Sequence, residues 1–165
     1  MRNLSLYIIL IIALTSCNTE GKVDISDCKI ITNVDSSFNI VLPYLTEIVE
    51  DSIWEKDFFI EVVNHSYNIK DKKNKWTREF ESHYAGIKIM SYTEKNLVLY
   101  AYHSGILNGY TLFPKWWHDV YVLDRQNGNT IKLIEIKRGL TSATIYDHSL
   151  YMRFYDPDEI RVCPL

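Results

Sequence analysis

From Phe58 onward, apolar and polar positions alternate with period two, and the apolar ones are mostly β-branched or aromatic. Alternation at that period sends successive side chains to opposite faces of an extended backbone, so the pattern predicts half-buried β-strands. The expected strands cover 58–64, 76–83, 86–91, 97–103, 119–124, 130–136, 143–146, 150–155 and 159–163, with short ones at 28–33 and 38–41. Asn127-Gly128, between VYVLD and TIKLIEI, predicts a type I′ hairpin turn, which needs positive φ at both central positions. Asp147-His148, between ATIY and SLYMRFY, predicts a second tight connection. The rhythm breaks at 44–55, where Leu45, Ile48, Val49 and Ile53 share one face behind Pro43 and predict one short helix. Strand following strand excludes the alternating βαβ order of parallel nucleotide-binding sheets. The expectation is an all-β domain: an antiparallel meander folded as a β-sandwich or barrel, with at most that one helix.

A weak internal echo links YTEKNLVLYAY (92–102) with YDHSLYMRFY (146–155). VYVLDRQNGNTIKLIEI between them resembles the outer hairpin of a β-propeller blade, which implies incomplete propeller-like blades as the alternative fold. Propellers close with four to eight blades of four strands, and the chain from Cys28 onward has room for about three. The echo therefore reads as repeated hairpins within a sandwich or barrel.

The N-terminus follows different rules. Met1-Arg2-Asn3 is a short basic start, and Leu4–Leu14 is an uncharged run of eleven residues. As a helix it would rise about 16 Å, roughly half of a 30 Å hydrocarbon core, so it is too short to span as a mature anchor. A basic start, a short apolar run and a small-residue site make the pattern of a secretory signal. The site is Leu14-Thr15-Ser16-Cys17, and here the sequence resembles the bacterial lipoproteins, whose lipobox is an aliphatic residue, two small ones and a cysteine. The resemblance implies cleavage between Ser16 and Cys17, diacylglycerol on the Cys17 sulfur and a further acyl chain on the new amino terminus. Several acyl chains suffice for stable attachment where one is marginal. Asn18, rather than Asp, after the cysteine favours the outer membrane under the family's sorting rule. The expected organisation is a signal peptide over 1–16, a lipidated cysteine and flexible tether over 17–27, and one β domain over 28–165.

Composition narrows the classes that remain. Hydrophobic residues make up 47% and charged residues 24%, which excludes disordered and collagen-like chains. A formal charge of −3 offers no electrostatic footprint for a phosphate backbone, so no nucleic-acid partner is expected. The same acidic balance predicts no polybasic second anchor, leaving the lipid as the membrane connection. Cys28 and Cys163 remain after Cys17, one at each edge of the domain. In an exported chain they invite a disulfide between first and last strands; two separate buried thiols are the alternative.

Motifs that would carry chemistry are scarce. His65, His83, His103, His118 and His148 form no HxH, HxxxH or HExxH pair, so no metal and no cofactor is expected. Asp124–Asn129 superficially suggests a calcium loop, but its glycine stands fifth rather than sixth, and a hairpin turn explains the same residues. Asp156-Pro157-Asp158-Glu159 reads as an acidic turn ending a strand. There is no GxSxG, SxxK or phosphate-cradling loop. What stands out is aromatic content, 13%, densest at Tyr110-Thr-Leu-Phe113-Pro-Lys-Trp116-Trp117-His118 in a long stretch without periodicity. Long loops often carry function, and Tyr110, Phe113, Trp116, Trp117 and His118 are the candidate ligand- or partner-binding residues. The opposing reading folds Trp116 or Trp117 back as a lid on the core. Tyr100, Tyr102, Tyr151 and Tyr155 read as inter-strand pairs.

These observations favour a lipid-anchored protein of the cell envelope that binds a protein partner without catalysis, with toxin immunity as one version. A surface glycan-binding lipoprotein using the tryptophans is the second reading. The third is a hydrolase whose site is assembled from His103, His118 and Asp119.

Overall fold

A computed structural model describes residues 22–32, 45, 56–64, 66–80, 84–103, 118–155 and 157–165. Twelve strands run in chain order: β1 (Lys22–Asp24), β2 (Lys29–Ile31), β3 (Phe58–Val63), β4 (Ser66–Asp71), β5 (Trp76–Phe80) and β6 (Tyr84–Tyr92). They continue as β7 (Asn96–His103), β8 (His118–Asp124), β9 (Thr130–Ile136), β10 (Leu140–Tyr146), β11 (Ser149–Phe154) and β12 (Glu159–Pro164). One 3-10 turn, Ile25–Asp27, separates β1 from β2, and the Asp24 side chain caps it by accepting from the Ser26 amide at 2.8 Å. The all-β class expected from the period-two pattern is what the chain adopts.

The strands form three open sheets, ordered β1-β9-β8-β7-β6, β10-β11-β12-β2 and β3-β4-β5. Every pair of sheet neighbours that also follow one another in the chain is antiparallel, as the meander predicts. The sheets stack with the five-stranded one in the middle. One of its faces sends Val98, Val120, Val122, Ile134 and Ile136 against Ala143, Leu150, Met152 and Phe154 of the four-stranded sheet. The other sends Leu97, Leu99, Ala101 and Leu123 against Phe58, Ile69 and Phe80 of the three-stranded sheet. β7 and β8 are thus buried on both faces, which explains why LVLYA and VYVL read as nearly unbroken apolar runs. The described strands close no barrel, and the expected two-layer sandwich becomes three layers. Apart from β1 and β2, each sheet is built from sequence neighbours, and the N-terminal β2 completes the C-terminal sheet by pairing Lys29, Ile30 and Ile31 with β12.

Several sequence expectations need correcting. Residues 22–27, assigned to the flexible tether, are ordered: β1 runs parallel to β9, pairing Lys22 with Leu133 and Asp24 with Glu135. Three residues are too few for a periodic signal, and the edge of β9 supplies their hydrogen-bond partners. β4 was not expected at all. The β8–β9 connection is a hairpin, but no type I′ turn: of its residues Gly128 alone has positive φ, 76°, and the Gly128 amide bonds the Asp124 carbonyl at 2.8 Å. The type I′ signature appears at Asp147-His148 instead, with φ of 44° and 58°. The internal echo falls on equivalent pieces, the turn and second strand of β6–β7 and of β10–β11. The expected strand at 38–41 and the helix at 44–55 lie outside the described residues, apart from Leu45. That residue has helical backbone and packs on Ile31, Tyr151 and Ile160, while the Ser142 hydroxyl donates to its carbonyl at 2.6 Å.

Cys28 and Cys163 are bonded to each other, with Cα atoms 4.6 Å apart. Both sit in the core between the central and four-stranded sheets. The bond closes a loop of 135 residues in sequence separation. Removing that freedom from the unfolded chain is worth about 5 kcal/mol in the loop-entropy picture.

Candidate functional site

Ser16, Cys17, Tyr110, Phe113, Trp116 and Trp117 lie outside the described residues. The structure does place the two points between which the aromatic segment runs. β7 ends at His103 and β8 begins at His118, and the two strands pair directly, with Tyr102 opposite His118. The candidate segment therefore departs from and returns to one end of the central sheet.

That end has two chemically different faces. Because neighbours along a strand point oppositely, His118 and Asp119 cannot share a site. His118 shares its face with Tyr102 and Tyr100; its ring meets Tyr100 edge-on at 5.3 Å, and Tyr100 and Tyr102 lie 6.0 Å apart. Tyr102 lies across Gly86 on the neighbouring strand, so closely that a Cβ there would fall 2.1 Å from the phenol oxygen. Glycine at that position leaves room for the ring to lie flat on β6, with 39% of Tyr102 exposed. Burial raises the Tyr100 phenol above its ordinary pKa. The result is a ledge of Tyr100, Tyr102 and His118 at the root of the aromatic segment. Tyr100 and Tyr102 were expected as inter-strand pairs, and Tyr102 over Gly86 is one.

Asp119 points the other way, into the core shared with the three-stranded sheet. The Tyr84 hydroxyl donates to Asp119 Oδ2 at 2.6 Å, and the Tyr84 and Tyr121 oxygens also lie 2.6 Å apart. A phenol has one proton to give, so with Tyr84 donating to the carboxylate, Tyr121 donates to Tyr84. Burial above all, then the bonds to Asp119 and Tyr121, push the Tyr84 pKa far above its usual value. A phenol held protonated in this way is no base or nucleophile near neutral pH. The group locks the start of β6 to β8. Of the hydrolase constellation His103, His118 and Asp119, the last two are thus directed to opposite layers.

The opposite end of the same sheet holds the feature that sequence reasoning missed. Arg125, in the β8–β9 hairpin, is buried and reaches into the three-stranded sheet. Its guanidinium donates to Asp57 at 2.5 Å, to Asp71 at 3.2 Å and to the Thr93 carbonyl at 3.0 Å. It lies 4.9 Å from the centres of both the Phe58 and Tyr92 rings. Burial disfavours its charge, but the hydrogen bonds to Asp57 and Asp71 outweigh that cost and hold its pKa above the ordinary value. Its carbonyl accepts from Asn74 at 2.7 Å and from the Trp76 indole at 2.8 Å. With each of the three guanidinium nitrogens engaged within the protein, this is a clasp between layers rather than a ligand site. No sequence signal marks it, since Asp71 and Asp57 stand 54 and 68 residues away.

The other sequence candidates fall to structural roles. The Asp124 carboxylate accepts from the Gln126 amide at 2.7 Å and the Asn127 side chain at 3.1 Å, which holds the hairpin turn. Asp158 pairs through two hydrogen bonds with Arg153, at 2.9 and 2.8 Å, and Glu159 pairs with Arg161 and Arg138. A cleft of about 190 Å³ lies between Asp24-Ile25, the stretch 135–138 and Phe154. It is smaller than the roughly 300–1,000 Å³ of usual small-molecule sites. Comparison of the chain with protein-family models, with curated proteins and with solved structures finds no match.

Proposed function

We propose that this chain is a lipid-anchored protein of the bacterial cell envelope, tethered through Cys17 to the outer membrane, that binds a protein partner without catalysing a reaction. The observation that carries the reading is the Cys28–Cys163 disulfide. Structural disulfides persist in oxidising compartments, in keeping with an exported chain. Of the three cysteines in the sequence, these two are committed to each other, which leaves Cys17, behind its apolar run and small residues, for the lipid. The binding role rests on the aromatic segment containing Tyr110, Phe113, Trp116 and Trp117, which is rooted beside the Tyr100, Tyr102 and His118 ledge. Tryptophan and tyrosine are the side chains that most often dominate protein interfaces. The protonated Tyr84 and the opposed directions of His118 and Asp119 argue against hydrolysis at that end.

Immunity against an envelope-targeted toxin is the version of this role that the acidic charge favours, because it suits a cationic partner. Deleting the gene and challenging the cells with such toxins tests it. Survival should fall, and should return with the wild-type gene but not with a Trp116→Ala/Trp117→Ala variant. Unchanged survival contradicts the immunity version.

A further inference from the structure

The net charge of −3 conceals a local excess of cations. Lys72, Lys73 and Lys75 are exposed in the β4–β5 turn, Lys56 is exposed before β3, and Lys95 is exposed in the β6–β7 turn. These segments lie far apart in sequence, yet the Arg125 clasp gathers them. The Lys72 amide bonds the Asp57 carbonyl at 2.8 Å, and the Arg125 amide bonds the Lys95 carbonyl at 2.7 Å. Asn74 joins the same group through the Arg125 carbonyl. Asp57 and Asp71 share the single guanidinium of Arg125, and the Asp124 carboxylate holds its own turn, so the five lysines and Arg125 exceed these three acids and Glu94 by two charges. Among the described residues, Glu94 is the remaining exposed acid in these turns. Asp147, in the β10–β11 turn, belongs to the layer on the far side of the central sheet.

A second observation orients this cationic corner. β1 runs parallel to β9, so the chain enters β1 from the end of the central sheet where β9 begins. β9 begins at Thr130, immediately after the hairpin that carries Arg125. The N-terminal end of β1 therefore points towards the same end of the molecule as the lysine-bearing turns. Cys17 is five residues before Lys22, a reach of at most about 18 Å.

We infer that Lys56, Lys72, Lys73, Lys75 and Lys95 form a membrane-facing surface that lies on anionic phospholipid headgroups beside the lipidated terminus. This deepens the reading of a lipid-anchored protein and rests on it for the orientation. It adds a basic second contact to the lipid anchor that net charge alone suggested would act by itself. Each lysine near an anionic surface strengthens attachment roughly fivefold, and the gain fades with salt. Held this way, the domain turns its opposite end, with the aromatic segment, away from the bilayer and towards a partner.

The test reconstitutes the full acylated protein into vesicles of phosphatidylcholine alone or rich in phosphatidylglycerol, and reads the reactivity of each lysine towards a soluble amine reagent. Lys72, Lys73, Lys75 and Lys95 should be protected several-fold in the anionic vesicles, with protection lost at high salt. Lys137, exposed beyond the far end of β9, should react equally in both. A Lys73→Glu/Lys75→Glu/Lys95→Glu variant, all exposed positions, should keep its acyl label and lose the difference between vesicles. Equal reactivity of the turn lysines in both vesicle types overturns the proposal. If Cys17 carries no acyl chain, the anchor reading fails by itself. Sedimentation of the same protein with phosphatidylglycerol vesicles, abolished in the triple variant, then upholds the cationic surface, and absence of sedimentation overturns it as well.

Discussion

Arg125 Nε donates to Asp71 Oδ2 at 3.2 Å, with side-chain exposures of 4% and 0%. A charge so buried depends on its partner, because removing one member leaves the other without solvent or counter-ion. Arg125→Ala should therefore lower stability by about 3–5 kcal/mol in denaturant unfolding. Asp57→Asn should cost much less, since the Asp57 side chain is 35% exposed and water can replace part of the pair. Equal small losses for both variants would remove the clasp from the account.

Gly128 tests the same hairpin through the backbone. Its φ of 76° is strained for any L side chain, and an added Cβ would lie 2.8 Å from the Trp76 ring. Gly128→Ala should lose about 1–2 kcal/mol from the left-handed conformation alone. Gly128→Asn separates the two causes. Asparagine is less strained there than alanine but keeps the collision with Trp76, so it should also unfold at lower denaturant than wild type. A neutral asparagine would show that the ring gives way.

The buried phenol makes stability fall in alkali. Tyr84 has its pKa raised in the folded protein, so both states keep the proton below about pH 10, the unfolded value. Above that pH the unfolded chain releases a proton that the folded one retains. Folding stability should then decline by about 1.4 kcal/mol per pH unit from this group. Tyr84→Phe should be less stable near neutrality, through loss of the bond to Asp119, and should show a shallower alkaline decline. An unchanged alkaline slope would contradict the assignment.

How much of this was legible follows from what each residue depends on. β9 was read to the residue, because the Asn-Gly turn marks its start and its buried residues, Ile134 and Ile136, fall two apart as period two requires. β4 was missed because SYNIKD has few apolar positions, and its final residue, Asp71, is buried for the sake of a guanidinium in a distant hairpin. β1 was missed because KVD is ordered by the edge it joins and by no pattern of its own. Asn127-Gly128 correctly marked a hairpin but the wrong turn, because Gly128 alone of the pair takes positive φ. The lysine surface was hidden by a net charge that sums over the whole chain. Cys28 and Cys163 were paired correctly from their places at opposite edges of the domain.

That bond gives the next expectation. Cys28→Ala/Cys163→Ala should lose about 2–5 kcal/mol and melt at a lower temperature, and reduction of the wild-type protein should reproduce the shift. A melting temperature indifferent to reduction would mean that the clasp between β2 and β12 does not stabilise the domain.

The central claim, that an exported, disulfide-closed β domain is held on the envelope by lipid, is tested most directly by metabolic labelling with a fatty-acid analogue. The wild-type protein should take up label and fractionate with membranes. Cys17→Ala should take up none and leave that fraction, while still migrating on a non-reducing gel as a chain with Cys28 and Cys163 bonded. Label retained in Cys17→Ala, or an unlabelled wild-type protein in the soluble fraction, would contradict the account.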